Sequence, residues 1–527
     1  MRREKLGKLY LEAAIWIEQI AASSPMRDHT DKLFVESVLL GPARAHRERS
    51  GQLLRRARKA AARLSHAELL REYRRLAALF SVEISSFERK TFANLSQASN
   101  KAMNLNSYID LMGGHFRPVS RPDGAHLQRC ESELAELSVP AADYLITLDA
   151  DSLLLSDYAL RLIHVMEREE NQRVAVVQTP YSAVPGTSCM IERVAGATTD
   201  VQHILHQGYT WMGATYWVGA NALLRRAALD DIRVVEDENG KAVAKYIQDR
   251  TVIEDTESSI DLILRGWRLY NYPERVAYSA TPPDFGALLI QRRRWANGGL
   301  LILPKLMRYL SGPGRRVQKS GECFMRFHYL TSLAGISLGM LILMIHPFDH
   351  SMNGWWLPLT ALPYFVLYGR DLVASGYSWL DLPRVYALNL LLIPVNLGGV
   401  AKSLHQACTG QRSSFARTPK VQGRTTAPRF YVLAELAIVL YCIMSSVFDL
   451  LARRWLHASF AFINGALLAY AVGSYIGLRE VAEDIGLCRL RDALSDVTTP
   501  DWVPSDVEPA ATVDRPLAGS LDFVVVD

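Results

Sequence analysis

The chain has 527 residues, 49% of them hydrophobic and 21% charged, with a mean hydropathy of +0.03 and a net charge of +5. That length calls for roughly two to four units rather than one core, and so mild a charge, without a basic stripe or recognisable module, argues against nucleic acid as a partner. The six cysteines, Cys130, Cys189, Cys323, Cys408, Cys442 and Cys488, show no C-x-x-C spacing, which excludes a zinc ribbon or disulfide framework and fits a reduced, cytoplasmic setting.

The basic start of the chain is interrupted by Glu12, Glu18 and Gln19 and is no signal peptide. Helical patterns run from Leu9 to Ala22 and from Gly51 to Phe80. In the second, Leu69, Leu70, Leu76 and Leu79 form one stripe, and Ser65 with Glu68 makes a capping box. The Arg- and Lys-rich face of 52–63 reads as a solvated surface, with an anionic membrane as the sharper alternative. Strand signals appear at Phe80–Ile84, Thr91–Leu95 and Tyr144–Leu148, a helix at Tyr158–Glu167, and a buried strand at Val174–Gln178. This alternation predicts an α/β layer fold with a largely parallel sheet.

After Pro304 apolar segments run at about Phe327–Ile345, Trp355–Leu367, Val385–Val400, Tyr431–Leu451 and Leu456–Ile476. The first and the last two are long enough to span a bilayer. Arg315, Arg316, Lys319 and Arg326 before the first span, and Lys402, Arg412, Arg417, Lys420, Arg424 and Arg429 before the fourth, place both points in the cytoplasm. An even number of crossings must lie between them, so the second or third segment is expected to be interfacial or re-entrant. The tail from about Thr498 has no period and reads as disordered.

Three groups carry chemistry. Asp149-Ala-Asp151 ends an apolar strand, where two carboxylates suit a Mg²⁺ or Mn²⁺ shared with substrate phosphates; alone, the pattern is common. Glu254-Asp255 opens a helical segment, where a carboxylate is ordinarily a dipole partner; Asp255 as a general base is the sharper reading. In Gln291-Arg-Arg-Arg-Trp295, Arg suits phosphate oxygens and Trp a sugar face, although an Arg run beside a membrane also reads as a positive-inside flank.

The order of these groups, followed by membrane segments, resembles the cellulose-synthase-like family 2 glycosyltransferases. Lys101-Ala-Met-Asn-Leu-Asn106 is similar to the family's Lys-x-Gly-Asn-x-Asn segment, with Met103 in the glycine position. Val177–Pro180 matches the strand and turn after the Asp-x-Asp, Tyr216-Trp-Val-Gly-Ala-Asn matches the acceptor segment, and Phe415–Lys420 is similar to the gating loop. The resemblance covers about Glu88 to Ile476. It implies a GT-A-like, Rossmann-like nucleotide-sugar domain followed by an α-helical transmembrane bundle. The units would be 1–87 (helical, Arg-rich), 88–311 (catalytic), 312–480 (membrane and interfacial helices, gating loop near 412–424) and 481–527 (tail).

The same resemblance implies residue roles. Asp149 and Asp151 would sit by the metal and diphosphate, with Asp151 the more direct ligand. Asp255 would be the base of an inverting displacement, Gln291 and Arg294 would hold the diphosphate, and Lys101 and Asn104 would lie near the donor. Trp295, Gly219, Ala220 and Glu254 would serve the acceptor, and Phe415, Arg417, Thr418 and Lys420 the gating loop. The implied partners are a UDP-sugar, a glycan acceptor, a plasma membrane crossed several times with the catalytic domain cytoplasmic, and accessory synthase subunits. The implied reaction adds glucose to a growing, extruded polysaccharide; a non-processive transfer to a lipid acceptor and an impaired scaffold are the alternatives. The scaffold enters because residues 1–80 lack the family's opening strands with acidic ends, so an N-terminally incomplete chain or a displacing insertion is expected, with weak donor binding.

Overall fold

The computed structural model describes residues 2–58, 65–179, 182–219, 221–238, 240–312, 316–345, 356–411 and 423–487. The N-terminal segment is helical, as its pattern predicts: α1 (Arg2–Ser23), α2 (His29–Leu33), α3 (Gly41–Arg58) and α4 (His66–Ala78). Leu6, Tyr10 and Ala13 of α1 meet Leu53 and Leu76 in a small core. The capping box at the start of α4 is formed, with Ser65 Oγ accepting from the Glu68 N–H and Glu68 from the Ser65 N–H.

Neither of the next two strand signals is a strand. Residues 80–88 are irregular and Arg89–Thr91 is a 3₁₀ turn. The reason is a buried charge: Arg89 is 4% exposed, and its guanidinium bonds to the Ser96 and Ala98 carbonyls and to Asn104 Oδ1, so the chain wraps around it. Asn94 imitates a strand partner with its side chain, donating to the Leu127 carbonyl and accepting the Leu127 N–H, both at 2.9 Å.

Helix α5 (Lys101–Leu111) is capped by Asn100, whose Oδ1 accepts the Met103 N–H at 2.8 Å. A small antiparallel sheet follows, with β1 (Gly114–Arg121) between β2 (Gly124–Arg129) and β3 (Leu137–Val139). Next come β4 (Tyr144–Thr147), β5 (Ser152–Leu154), α6 (Tyr158–Met166), β6 (Val174–Gln178), α7 (Met190–Trp211), β7 (Ala222–Arg225), α8 (Arg226–Asp231), β8 (Val234–Glu238) and β9 (Lys241–Lys245). They are followed by α9 (Glu254–Leu264), β10 (Arg268–Asn271), β11 (Ala277–Ser279), α10 (Phe285–Ala296) and α11 (Gly299–Ser311). The main sheet has the order β10-β6-β7-β4, with β10 parallel to β6 and β7 antiparallel to both β6 and β4. The sheet is thus mixed, not largely parallel: β4, β6 and β10 run one way, and β7 runs against them between β6 and β4. Leu162, Val177 and Leu223 pack with α6 on one face; Val176, Leu224 and Ile260 pack on the other with α9.

The second of these cores extends beyond the sheet domain, since Cys323 and Leu330 of α12 (Arg316–Ile345) belong to it. Helices α13 (Trp356–Ala374), α14 (Asp381–Leu391), α15 (Ile393–Thr409), α16 (Arg429–Leu451), α17 (Trp455–Ala471) and α18 (Leu478–Ile485) complete the described chain. Lys319–Met344, Arg429–Leu451 and Trp455–Ile476 are long and apolar enough to cross a membrane, corresponding to the first and last two expected segments. The third expected segment is broken: α14 and α15 meet at 43°, the geometry of a broken span or a re-entrant loop. A shared core of α7, α10, α14, α16 and α17 residues, including Val194, Leu288, Leu388, Val432 and Leu468, joins the sheet domain to these helices.

Candidate active site

The end of β4 delivers Asp149 and Asp151 to a turn that the backbone itself closes. The Ser152 N–H donates to the Asp149 carbonyl at 3.0 Å, and the Asp149 N–H to Ser152 Oγ at 3.2 Å. Ser152 Oγ lies 3.4 Å from Ser279 Oγ on β11, which also accepts from Asn221 Nδ2 at 3.1 Å. Asn221 has φ of 61°, a left-handed conformation that Asn tolerates better than most residues. The Asp-x-Asp turn and the segment around Gly219 are therefore tied to one another through β11.

Lys101, the first residue of α5, forms an ion pair with Asp149 Oδ1. Burial works to lower the ammonium's pKa, but the carboxylates of Asp149, Glu254 and Asp255 outweigh it and hold Lys101 above its ordinary range. Three distant stretches of sequence thus meet in one charged cluster.

Glu254 and Asp255 are the first two residues of α9. Burial, reinforced by the charge of Asp255, pushes Glu254 up to about 7, against the pull of Lys101 and Arg294. Asp255 is likewise raised by burial, opposed by the Thr256 N–H, Lys101 and Arg294. The Thr256 N–H donates to Asp255 Oδ1 at 2.6 Å. The other oxygen faces Gly219, where a Cβ would lie 3.2 Å from Asp255 Oδ2 at a φ of +81°. The Gly219 segment is held by Gln178 at the end of β6, which donates to the Tyr216 carbonyl at 2.6 Å and accepts the Val218 N–H at 2.9 Å. Ser259 of α9 accepts the Trp217 N–H at 2.9 Å.

Helix α10 divides its three arginines by direction. Arg292 donates to Thr198 Oγ1 of α7 at 2.8 Å and lies 4.5 Å over the Trp295 ring. Arg293 donates to the Tyr431 hydroxyl at 3.4 Å. Arg294 is the member whose charge acts on Glu254 and Asp255. Gln291, 7% exposed, is buried on the same helix. The helix is fixed at both ends: Asp284 Oδ1 caps it by accepting the Ala287 N–H at 2.8 Å, and Ser403 Oγ of α15 donates to Asn297 Oδ1 at 3.1 Å. At Gly298 (φ +138°) a Cβ would come within 2.7 Å of Ile253 Cγ1, so the corner after α10 rests directly on the residue before Glu254.

The structure therefore brings together Lys101, Asp149, Glu254, Asp255, Arg294 and Gly219, with Asp151 on the turn beside Asp149. Asn104 has its oxygen occupied by Arg89, and Met103 is fully buried in the first turn of α5. Ala220, Phe415, Arg417, Thr418 and Lys420 lie outside the described residues. Just after that last stretch, the Thr425 N–H donates to Asp284 Oδ2 at 3.1 Å, joining the chain to the cap of α10. Sequence reasoning gave no role to Gln178, Ser279 and Tyr329; the last stacks on Tyr216 at 4.7 Å from the distant α12, and no local pattern marks it.

A divalent metal can be tested against this donor set. Asp149 and Asp151 are half-exposed and offer hard oxygens, while no group of three or more His, Cys, Asp or Glu that could hold an ion occurs among the described residues. That set suits an ion that keeps waters and completes its shell with substrate phosphates, as Mg²⁺ does, rather than one held in a protein cage.

Residues 144–412 match the family model described as Glycosyl transferase family group 2. The chain is 26% identical over 174 residues to a probable glucomannan 4-beta-mannosyltransferase 11 of Oryza sativa subsp. japonica, covering 32% of this chain and 28% of that one. It is 29% identical over 172 residues to glucans biosynthesis glucosyltransferase H of Bradyrhizobium diazoefficiens, covering 32% and 22%. It is 27% identical over 162 residues to the catalytic subunit of a UDP-forming cellulose synthase from Dictyostelium discoideum, covering 30% and 14%. The match spans less than a third of the length of each of these relatives.

Proposed function

Because the chain belongs to the glycosyl transferase family group 2 and is cellulose-synthase-like, we propose that it is a membrane-bound, inverting hexosyltransferase that extends a polysaccharide from a UDP-sugar. The observation that carries this reading is the placement of Asp255: one oxygen held by the Thr256 N–H, the other facing the open side of Gly219, with Lys101 and Arg294 acting on it.

In this reading Asp255 Oδ2 takes the proton of an acceptor hydroxyl. The freed oxygen forms a bond to the anomeric carbon as the bond from that carbon to the diphosphate breaks. The electron pair leaves with UDP, and the configuration inverts. Arg294 and Gln291 hold the departing diphosphate, whose charge develops as the bond breaks. Asp149 and Asp151 would hold Mg²⁺ or Mn²⁺, which supplies neutralising charge to the same diphosphate when bound. Lys101 holds Asp149 in place through their ion pair. Asn104 acts near the donor by fixing Arg89. Trp295, whose ring already carries the Arg292 guanidinium, together with Glu254, Gly219 and Ala220, borders the acceptor.

The wider assignment follows from the same reading: residues 1–87 form a helical segment, 88–311 a cytoplasmic GT-A-like catalytic domain, 312–480 a plasma-membrane bundle, and 481–527 a tail. The loop near 412–424, with Phe415, Arg417, Thr418 and Lys420, closes over the donor, and accessory subunits receive the product. The sugar is proposed as glucose, with mannose the competing hexose because similar proteins are named as mannosyltransferases. The test is incorporation of radiolabel from UDP-glucose and, in parallel, GDP-mannose by the protein in lipid vesicles, with the product sized. A long glycan labelled from UDP-glucose is the expected result. Single additions to lipid would replace the polymerase reading, label from GDP-mannose alone would change the sugar, and no transfer from either would favour a scaffold.

A further inference from the structure

Helices α9 and α11 share an apolar core, to which α9 gives Ile260 and Ile263 and α11 gives Ile302 and Leu306. A charge sits inside this contact. Lys305 lies at spacings of three and one from Ile302 and Leu306, on the same face of α11, and is only 9% exposed. A lysine is almost never buried unless it is paired. Its Nζ lies 2.8 Å from Glu257 Oε1 and 2.7 Å from Asp261 Oδ2. Those two carboxylates stand one turn apart on α9, where like charges repel. Lys305 is the cation set between them.

Glu257 carries this contact to the candidate site. It is 2% exposed, and its Oε1 also accepts from Arg250 Nε at 3.0 Å, while its Oε2 accepts the Thr251 N–H at 3.0 Å. Thr251 opens the short run that leads into Glu254 and Asp255. The corner between α10 and α11 rests on the same run, since a Cβ at Gly298 would lie 3.6 Å from Thr251 Cβ and 2.7 Å from Ile253 Cγ1. Two points therefore tie residues 251–253 to α10 and α11: the corner by direct contact, and Lys305 through Glu257. Asp255 lies just beyond this run, and Gln291 and Arg294 lie on α10 just before the corner. Apolar faces of Ile and Leu slide past one another at little cost, whereas a lysine between two carboxylates has one register. Buried ion pairs add little net stability over apolar replacements, and fixing register is their best-attested use.

We propose that Lys305 is a positioning residue for sugar transfer. It locks α11 in one register along α9 and thereby fixes Asp255 relative to Gln291 and Arg294. It acts through Glu257 and Asp261, not on substrate. The inference rests on the reading of Asp255 as the base.

The test uses the full chain in lipid vesicles and compares the parent with Lys305→Met/Asp261→Leu, Lys305→Arg and Asp255→Asn. The double variant removes one charge of each sign, leaves Glu257 its bonds to Arg250 and the Thr251 N–H, and keeps the helix contact apolar. Its melting temperature and its affinity for UDP should match the parent. Its turnover, read as UDP release from UDP-glucose, should fall by about tenfold, since a 1 Å misplacement costs about 10²-fold and the shift here is smaller. Lys305→Arg can still bridge both carboxylates and should keep near-parental turnover. Parental turnover in the double variant would overturn the proposal. So would a turnover that falls together with the melting temperature or the UDP affinity, which is the mark of a merely structural residue. If Asp255→Asn turns over like the parent, or the parent releases no UDP, the reading of the base falls and this inference with it. If Asp255→Asn is inactive while the double variant matches the parent, only this inference falls.

Discussion

Replacing Gly219 with Ala tests whether Asp255 acts on substrate, because the structure separates two effects of one methyl group. The first is conformational: at φ +81° an L-residue is disfavoured by roughly 1–2 kcal/mol. The second is local: the new Cβ would lie 3.2 Å from Asp255 Oδ2, tighter than ordinary contact, so the carboxylate must shift by a few tenths of an ångström. Misplacing a reacting group by 1 Å costs about 10²-fold, so a smaller shift is expected to lower turnover by about tenfold. Gly213→Ala supplies the comparison, since its φ is +68° and nothing lies within 4 Å of its added Cβ. Both variants should lose similar thermal stability in detergent, measured by tryptophan emission. In a UDP-release assay only Gly219→Ala should lose turnover. Equal turnover in the two, at equal loss of stability, would refute the placement of Asp255 Oδ2 toward the acceptor.

Asp255→Asn should lower transfer by about 10²–10⁴-fold, the usual worth of a positioned general base, with folding intact by thermal melt. Since burial raises both carboxylates and Glu254 reaches about 7, the parent should gain activity as pH rises toward neutrality, when Asp255 loses its proton. Lys101→Met removes a charge that lowers both pKa values, so the acid limb of the pH–rate profile should move to higher pH; an unmoved limb would count against the cluster. Chelation by EDTA should abolish transfer and added Mn²⁺ or Mg²⁺ restore it, with Asp151→Asn needing a higher metal concentration for half-activity.

What the sequence made legible was local. The apolar runs at Tyr144 and Val174, the helix from Tyr158 and the capping box at Ser65 are governed by neighbours within a few residues, and the structure has them. The two strand signals between Phe80 and Leu95 carried β-branched and aromatic residues, yet the segment is shaped by Arg89 reaching carbonyls and Asn104, an arrangement that no periodicity encodes. The antiparallel β7 was hidden because Ala222–Arg225 is too short to show a pattern. At the candidate site the motifs named Asp149, Asp255 and Arg294. Their mutual approach, and the contrast between Arg294 and its two neighbours on α10, depended on how α5, α9 and α10 pack.

The buried Arg326 bears on how this protein can be cut or recombined. Its guanidinium, rooted in α12, supplies the donors for the Gly213 and Thr215 carbonyls and bonds back to Glu322. A fragment ending before α12 would leave two carbonyls of the turn that leads into Tyr216 and Gly219 without these partners, and would expose the pocket that Cys323 and Leu330 fill. Chimeras that exchange the membrane helices are therefore better joined after Leu330, within α12, so that the donor sequence begins beyond the last residue of this helix in the sheet-domain core.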